Sequence, residues 1–285
     1  MKPGAVTVGY CYPREVDGVF MDSFMRFATN PARSWRVFDP ERGGHFISQI
    51  GTRIASGRNT VVRRFLEDDS FGEWLWMIDT DHSFNIDALD KLLEVAHPQH
   101  RPIVGALCFS GGRSGQMEPT MYRFVRDGDG KGMSSVIEDW TPGSLVEVAV
   151  TGAACMLVHR TVLETIGEQF GHQAPMEWFA ESWADGSDYG EDWTFCIRAR
   201  QLGYKIFVHT GVEAPHHKSW LLDSTDWAQY KEDRANYGLD ALKAQALGKR
   251  FGIVTKLGDT SAAEQLAPKL NRQQRRQAER KKVSA

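Results

Sequence analysis

Five consecutive apolar residues, Trp74-Leu75-Trp76-Met77-Ile78, give way without transition to Asp79-Thr80-Asp81-His82. The run is too short for a helix of its own and too apolar for a surface strand, so it predicts a strand buried on both faces, as in a parallel sheet. Acids directly after such a strand stand at the carboxyl edge of the sheet, where open α/β folds bind their ligands. Two carboxylates a few ångströms apart repel each other unless a cation neutralises them. The spacing alone says little: with 20 aspartates in 285 residues, a D-x-D triplet arises about once by chance. Asp127-Gly128-Asp129, in a glycine-rich turn, reads as a pair of solvated loop acids. Position after a buried strand is what sets Asp79 and Asp81 apart.

The flanking sequence extends the pattern. Ala5 to Tyr10 reads as a first strand ending in a loop, and the apolar spacing of Ile47, Ile50, Ile54, Val61 and Phe65 predicts an amphipathic helix over Phe46 to Glu67. Asn85 can cap a helix running through Ala88, Leu89, Leu92, Leu93 and Ala96 that Pro98 terminates. Pro102 to Phe109, Pro119 to Val125, Leu145 to Val150, Ala153 to Val158 and Lys205 to Val208 read as strands. Helices are expected from Thr161 to Ile166, closed by Gly167, and from Glu191 to Gly203. Residues 171 to 190 show no period and suit a loop over a site, and a polar helix is expected from Thr225 to Leu247. Strands alternating with helices predict an α/β fold with a mostly parallel sheet.

Composition narrows the function. The formal charge is −3, but Lys269 to Ala285 holds seven basic residues and one acid, so residues 1 to 268 carry −9. A mildly acidic body argues against nucleic-acid binding by a basic fold surface. No stretch approaches the roughly 18 apolar residues of a membrane span, and the first residues lack an apolar signal core, so a cytoplasmic location is the default. The four cysteines, Cys11, Cys108, Cys155 and Cys196, form no C-x-x-C pair and read as buried thiols.

Two further clusters bear on chemistry. Gly190-Glu191-Asp192-Trp193 opens a helix. Acids there are favoured by the helix dipole and by capping alone. A capping carboxylate, however, would be solvated with a depressed pKa, whereas an acid beneath a loop bearing Trp178, Trp183 and Tyr189 suits a general base. Pro215-His216-His217 follows the last core strand. A lone histidine is ordinarily a packed or surface residue, but an imidazole meeting two acids at one sheet edge makes a metal-ligand set. His209 and His217 compete with His216 for that role.

Taken in order, Val6 to Val8, Ala55-Ser56-Gly57-Arg58-Asn59, Trp74 to Asp81, Ile103 to Leu107, Thr151-Gly152-Ala153-Ala154-Cys155-Met156-Leu157, Gly190-Glu191-Asp192 and a final His resemble a nucleotide-sugar glycosyltransferase of the GT-A fold, family-2-like. The resemblance covers about residues 4 to 220. It implies a Rossmann-like mixed, mostly parallel sheet flanked by helices. It also implies a divalent cation, Mn2+ or Mg2+, held by Asp81 and His216, with Asp79 on the ribose or a metal-bound water. Tyr10, Cys11 and Tyr12 would hold the nucleobase of the nucleotide-sugar donor. Arg58, Asn59, Thr80, Gly152 and Ala153 would line the rest of the donor site, with Gly152 and Ala153 allowing close backbone approach. Asp192 would deprotonate an acceptor hydroxyl on a glycan, protein or small molecule, and Glu191 would orient the acceptor or tune its neighbour. A placed base opposite a diphosphate leaving group implies inversion.

Two other classes are consistent with parts of this pattern. A nucleotidyltransferase also uses paired acids and a metal, but Gly9-Tyr10-Cys11-Tyr12-Pro13-Arg14 supplies one glycine and one arginine where a triphosphate loop needs more. A non-catalytic carbohydrate-binding or scaffold protein would use the aromatic loop as a sugar platform and leave Asp192 dispensable. The expected organisation is a catalytic domain over residues 1–222, a helical extension over 223–250 and a basic tail over 251–285. The stretch Asn271 to Lys282 has no apolar face. It reads as a solubilising end that is also available to dock on an acidic partner, nucleic acid or an anionic membrane. Deleting the residues after about Pro268 is expected to leave turnover of a small acceptor unchanged in a steady-state assay, and loss of metal or donor binding would contradict this boundary.

Overall fold

Apolar runs with no polar face have to be covered on both sides, and the sheet is built from them. The computed structural model describes residues 4–39, 43–51, 53–111, 117–126, 132–184, 187–217, 221–239 and 242. Seven strands form the main sheet: β1 (Val6–Tyr12), β2 (Phe46–Ile50), β3 (Trp74–Ile78), β4 (Ile103–Leu107), β5 (Leu145–Val148), β6 (Cys155–His159) and β7 (Ile206–Glu213). Their order is β5-β7-β4-β6-β3-β1-β2. All five residues of β3 and all five of β4 are buried, which accounts for their unbroken apolar sequences.

Strand direction fixes where the chemistry lies. β1 runs parallel to β2 and β3, whereas β6 is antiparallel to both β3 and β4. β7 is parallel to β4, and β5 is antiparallel to β7. Five strands therefore share one direction and β5 and β6 oppose it, giving the mixed, mostly parallel sheet expected from the sequence. The carboxyl ends of β1, β3 and β7 consequently lie along one edge.

Helices cover both faces. These are α1 (Gly18–Ala28), α2 (Ile54–Glu67), α3 (Ala88–Val95), α4 (Arg160–Phe170) and α5 (Glu191–Gln201); a further helix, α6 (Ser224–Tyr237), comes later in the chain. Asp17 caps α1, its Oδ1 accepting from Val19 N at 3.0 Å. Phe20 and Phe27 of α1 enter an aromatic core with Trp76 and Phe84. α2 buries Ala55, Val61, Val62 and Phe65 but also Arg58 and Asn59 in its first turns, at the carboxyl edge. The chain divides into two compact units, Met1–Ser110 with Glu118–Trp227 and Gly111–Met117 with Ala228–Ala285. Within the second, the Arg234 guanidinium lies over the Tyr230 ring.

Several expectations are corrected. The helix anticipated over Phe46 to Glu67 is strand β2 followed by α2: Phe46 to Ile50 pair with β1, burying Ile47, and Gly51 separates the two elements. Spacing of apolar residues across that break mimicked a helical period. β1 continues to Tyr12 because β2 supplies a partner for Tyr10, Cys11 and Tyr12. α4 passes through Gly167 to Phe170, and Trp178 packs against that glycine. Asn85 gives its carbonyl to Ala88 N, and Asp87 occupies the cap position of α3. Residues 171 to 190 contain a short turn at Gly171–Gln173 and a pair of short strands, Ser182–Ala184 and Ser187–Tyr189. The last core strand extends to Glu213. α1 occupies sequence for which no element was expected. Asp127 and Asp129, most of the Gly111 to Gly115 loop, the end of the Thr225 to Leu247 helix and the basic tail lie outside the described residues.

Packing of α2 on β1 depends on a missing side chain. A Cβ at Gly9 would stand 2.5 Å from Cγ1 of Val61, a fully buried β-branched residue, and 3.1 Å from Cδ1 of Leu75. Gly9→Ala is therefore expected to destabilise the fold by about 1–3 kcal/mol through overpacking. In urea unfolding, the midpoint should fall with the slope unchanged.

Candidate functional site

The edge is assembled by hydrogen bonds that continue where the strands stop. Asp79 N donates to Ala154 O at 2.7 Å, the last rung between β3 and the segment before β6. On the other side β7 shifts register between His209 and Glu213, and Ala214 N donates to Leu107 O at 3.0 Å. This delivers Pro215, His216 and His217 to the edge where Asp79 leaves β3. There the loops close on each other: His217 N donates to Asp81 O at 2.8 Å, Ser83 N to Pro215 O at 3.0 Å, and His82 faces His216 in an antiparallel bridge.

Asp81 and His216, 135 positions apart, meet here. His216 Nε2 lies 3.0 Å from Asp81 Oδ2, and His82 Nδ1 lies 2.9 Å from Asp81 Oδ1. The two imidazoles stack with centroids 4.1 Å apart. Burial works to raise the Asp81 carboxyl, but the bonds from His216 and His82 outweigh it and hold it well below the usual carboxylate range. His216 Nδ1 stands 3.4 Å from Phe109 O, a carbonyl placed to orient the ring with Nε2 toward Asp81. Asp81, His82 and His216 each offer one ligand atom, all within 4.8 Å of one another. The donor set of one carboxylate and two imidazoles suits a divalent transition-metal ion. His82 was not among the residues singled out from the sequence. Its signal was its place beside Asp81.

Asp79 does not join this cluster. Arg58 Nη2 donates to both its oxygens, at 2.6 and 2.8 Å, while Arg58 Nη1 donates to Glu191 Oε1. Arg58 is buried, and its guanidinium also lies over the Phe179 ring. Burial opposes its charge, but Asp79, Glu191 and Asp192 more than compensate and hold its pKa above the ordinary value. One cation thus ties the end of β3 to the start of α5.

Asp192, the second residue of α5, is the acid that Arg58 does not bond. Gly190 occupies the cap position, and Asp192 Oδ1 accepts from Trp193 N at 2.8 Å. Burial, opposed by Arg58 and reinforced by Glu191, pushes its carboxyl up to about 6. That is the opposite of a solvated cap. Its Oδ2 comes 3.6 Å from where a Cβ at Gly152 would be, an ordinary contact distance, so Gly152 lies directly beside the carboxylate. An aromatic group stands nearby: the Trp193 ring is 4.9 Å from Tyr122 and 5.6 Å from Tyr189. Neither Tyr122 nor Trp193 was picked out by sequence, because nothing in the order of residues brings the Met121–Arg126 strand to α5.

The remaining expected residues divide between the cleft and the core. A cleft of about 440 Å³ at the carboxyl edge is lined by Cys11, Pro13, Asp17, Asp79, Thr80 and Asp81, among others. Thr80 donates to Cys11 O at 3.2 Å, and burial pushes the Cys11 thiol up to about 12. Tyr10 packs on Phe20 and Phe24, and Tyr12 stands 6.2 Å from Tyr10. Ala153 is buried. Asn59 is 1% exposed, and its carboxamide pins the following loop, accepting from Trp178 N and Phe179 N and donating to Phe179 O and Ala55 O. Trp178 does not overhang Asp192, because its indole is buried and donates to Leu163 O at 2.7 Å. The Trp183 side chain lies outside the description. His217 pairs with Asp17, and His209 accepts from Gly211 N within its own turn.

No family model matches the chain, and no curated protein matches it. Among solved structures, A197 from STIV is similar at 16% identity and a TM-score of 0.47, covering 76% of this chain and 85% of that one. GalNAc-T7 with UDP, GalNAc and Mn2+ is similar at 11% identity and the same TM-score of 0.47. There the match covers 92% of this chain but 54% of the other, so the chain spans about half the length of that protein. No helix among the described residues is long and apolar enough to cross a membrane. The ion-pair geometry itself gives a prediction. Arg58→Met leaves Asp79 and Glu191 without their shared cation and is expected to cost about 3–5 kcal/mol in urea unfolding at neutral pH. A loss under about 1 kcal/mol would show that the guanidinium does not hold this edge together.

Proposed function

We propose that the chain is a metal-dependent glycosyltransferase that moves a sugar from a nucleoside diphosphate donor to an acceptor hydroxyl with inversion. The observation that carries this reading is the flanking of one sheet edge by two different acids. Asp81 is held ionised against two imidazoles, while Asp192 sits with its carboxyl pushed up to about 6, and Arg58 reaches between Asp79 and Glu191. Two acids set apart by environment is the arrangement that assigns one to charge and the other to proton transfer.

In this reading Asp81 and His216 hold the cation, which supplies stabilisation of the charge that develops on the departing diphosphate. Cys11, Asp79 and Thr80 line the cleft that receives the nucleotide, on the β1 side of the edge. Asp192 takes the proton of the acceptor hydroxyl as its oxygen bonds to the anomeric carbon and the carbon–oxygen bond to the diphosphate breaks. Glu191, held by Arg58, stands beside Asp192 and adds to the rise in its pKa. Tyr122, Trp193 and Tyr189 offer ring faces beside the base, suited to an acceptor sugar. Residues 1–222 would carry all of these groups, with α6 and the basic tail outside the catalytic unit.

The test separates base from binder. Asp192→Asn is expected to bind donor with unchanged affinity while kcat falls by about 10²- to 10⁴-fold. In the wild type, kcat should fall tenfold per pH unit below about 6, because only the deprotonated carboxylate accepts the proton. Stability should move the other way. A carboxyl whose folded pKa lies above its unfolded value loses stability as pH rises through the interval from about 4 to about 6. Asp192→Asn is therefore expected to be the more stable protein at pH 7, by about 1–3 kcal/mol, with no gain below pH 4. Full turnover by Asp192→Asn would end this assignment.

A further inference from the structure

The metal reading leaves open which side chains complete the ligand set, and the sequence pattern offers Asp79. Two geometric facts argue against it. Both Asp79 oxygens accept from a buried guanidinium, at 2.6 and 2.8 Å. Ligating an ion would therefore set that ion against the Arg58 cation. Asp79 is also absent from the cluster whose ligand atoms lie mutually within 4.8 Å.

His82 meets both conditions that Asp79 fails. Its Nδ1 stands 2.9 Å from Asp81 Oδ1, and His216 Nε2 stands 3.0 Å from Asp81 Oδ2. Ligand atoms about 2.1 Å from one ion and sharing a coordination face lie roughly 3 to 3.5 Å apart, so both pairs already have that spacing. The side chain is 3% exposed, and its ring stacks on His216. Its position is fixed by backbone: His82 N donates to Asp79 O at 3.2 Å, and the bonds of Ser83 N and His217 N bracket the His82–His216 bridge. An arrangement in which a buried ring and a partly buried one converge on one half-exposed carboxylate leaves the open coordination positions on the carboxylate side.

We infer that His82 is the third protein ligand of a transition-metal centre formed with Asp81 and His216, and that Asp79 is not a ligand. The inference deepens the proposed transferase reading and rests on it. It carries a selectivity. Two imidazoles and one carboxylate bind Mn2+ and later first-row ions in preference to Mg2+, which takes oxygen ligands and keeps its water. Three protein ligands also retain the ion without nucleotide.

The experiment is Mn2+ binding to the full chain in the absence of nucleotide, followed by electron paramagnetic resonance with nitrogen-coupling analysis. The wild type is expected to show two coupled histidine nitrogens, His82→Gln and His216→Gln one each, and Asp79→Asn two. His82→Gln should weaken Mn2+ at least tenfold and Asp79→Asn less than threefold, with Mg2+ at least tenfold weaker than Mn2+ in the wild type. The nitrogen count in the wild type does not depend on any variant folding. A single nitrogen there, or an unchanged count in folded His82→Gln, overturns the role of His82 and leaves the transferase reading standing. Loss of Mn2+ in Asp79→Asn does the same. No Mn2+ binding by the wild type, even with UDP added, overturns the transferase reading along with it.

Discussion

A guanidinium buried beneath the carboxyl edge of the sheet is the interaction on which the rest of the site depends. Arg58 is the one cation among the described residues bonded to both Asp79 and Glu191, and Asp192 is a near neighbour. Three acids stand around this one cation, but only two of them are bonded to it. The two that Arg58 bonds keep their partner. Asp192, bonded only from the Trp193 amide among the described contacts, is pushed up to about 6 by burial, with Arg58 opposing and Glu191 adding to the rise. The ion pair that joins α2 to β3 and α5 thus leaves Asp192 apart from the two bonded acids, in a buried place where its carboxyl is lifted even though Arg58 opposes the rise. A buried ion pair adds little net stability over apolar packing, so what it contributes here is the placement of its two acids.

The other half of the edge is built from backbone. Turning β6 and β5 against the remaining strands brings the ends of β1, β3 and β7 to one side. The register shift in β7 then carries His216 past the end of β4 to face His82. Asp17 completes the arrangement from a third element. Its amide donates to Thr80 O at 2.9 Å, its carboxylate caps α1, and it pairs with His217. The bond from Val19 and that from His217 hold the Asp17 carboxyl below its ordinary value. His217 is occupied by this contact, which is why His216, one residue earlier, is the histidine that reaches Asp81.

What could be read from sequence follows from how local each cause is. β3 and the acids after it were legible because a buried strand and a charged edge both show in eight consecutive residues. So was the α/β class, since it rests on alternation. The β2–α2 segment misled because apolar residues on either side of Gly51 happened to continue a helical spacing, and only pairing with β1 distinguishes the two. Asn59 was legible as a polar residue on a helix face, but its partners are Trp178 and Phe179, 119 and 120 positions away, and no local pattern reveals that its carboxamide is committed to them. Trp178 was placed near Asp192 by proximity along the chain, yet its contact is with α4. His82 sat in plain view beside Asp81. What singles it out is the stacking against a residue 134 positions later, which is a property of the register and not of the motif.

Charge supplies a constraint that the two halves of the site must satisfy together. In the proposed reading, a diphosphate enters the cleft beside Asp79 and Asp81, next to an edge that already holds more acids than cations. Its negative charge would raise the proton affinity of Asp192 further, because the low-dielectric surroundings that lift that carboxyl to about 6 screen little. A base protonated at working pH accepts no proton. An arriving donor therefore has to bring or meet compensating positive charge if Asp192 is to remain competent. Arg58 cannot provide it, since its donors are committed to Asp79 and Glu191. The imidazoles of His82 and His216, converging on Asp81, mark the place where that charge can be held. In that reading an ion held by Asp81, His82 and His216 would do more than stabilise the leaving group: it would also keep Asp192, on the far side of Arg58, within its working range.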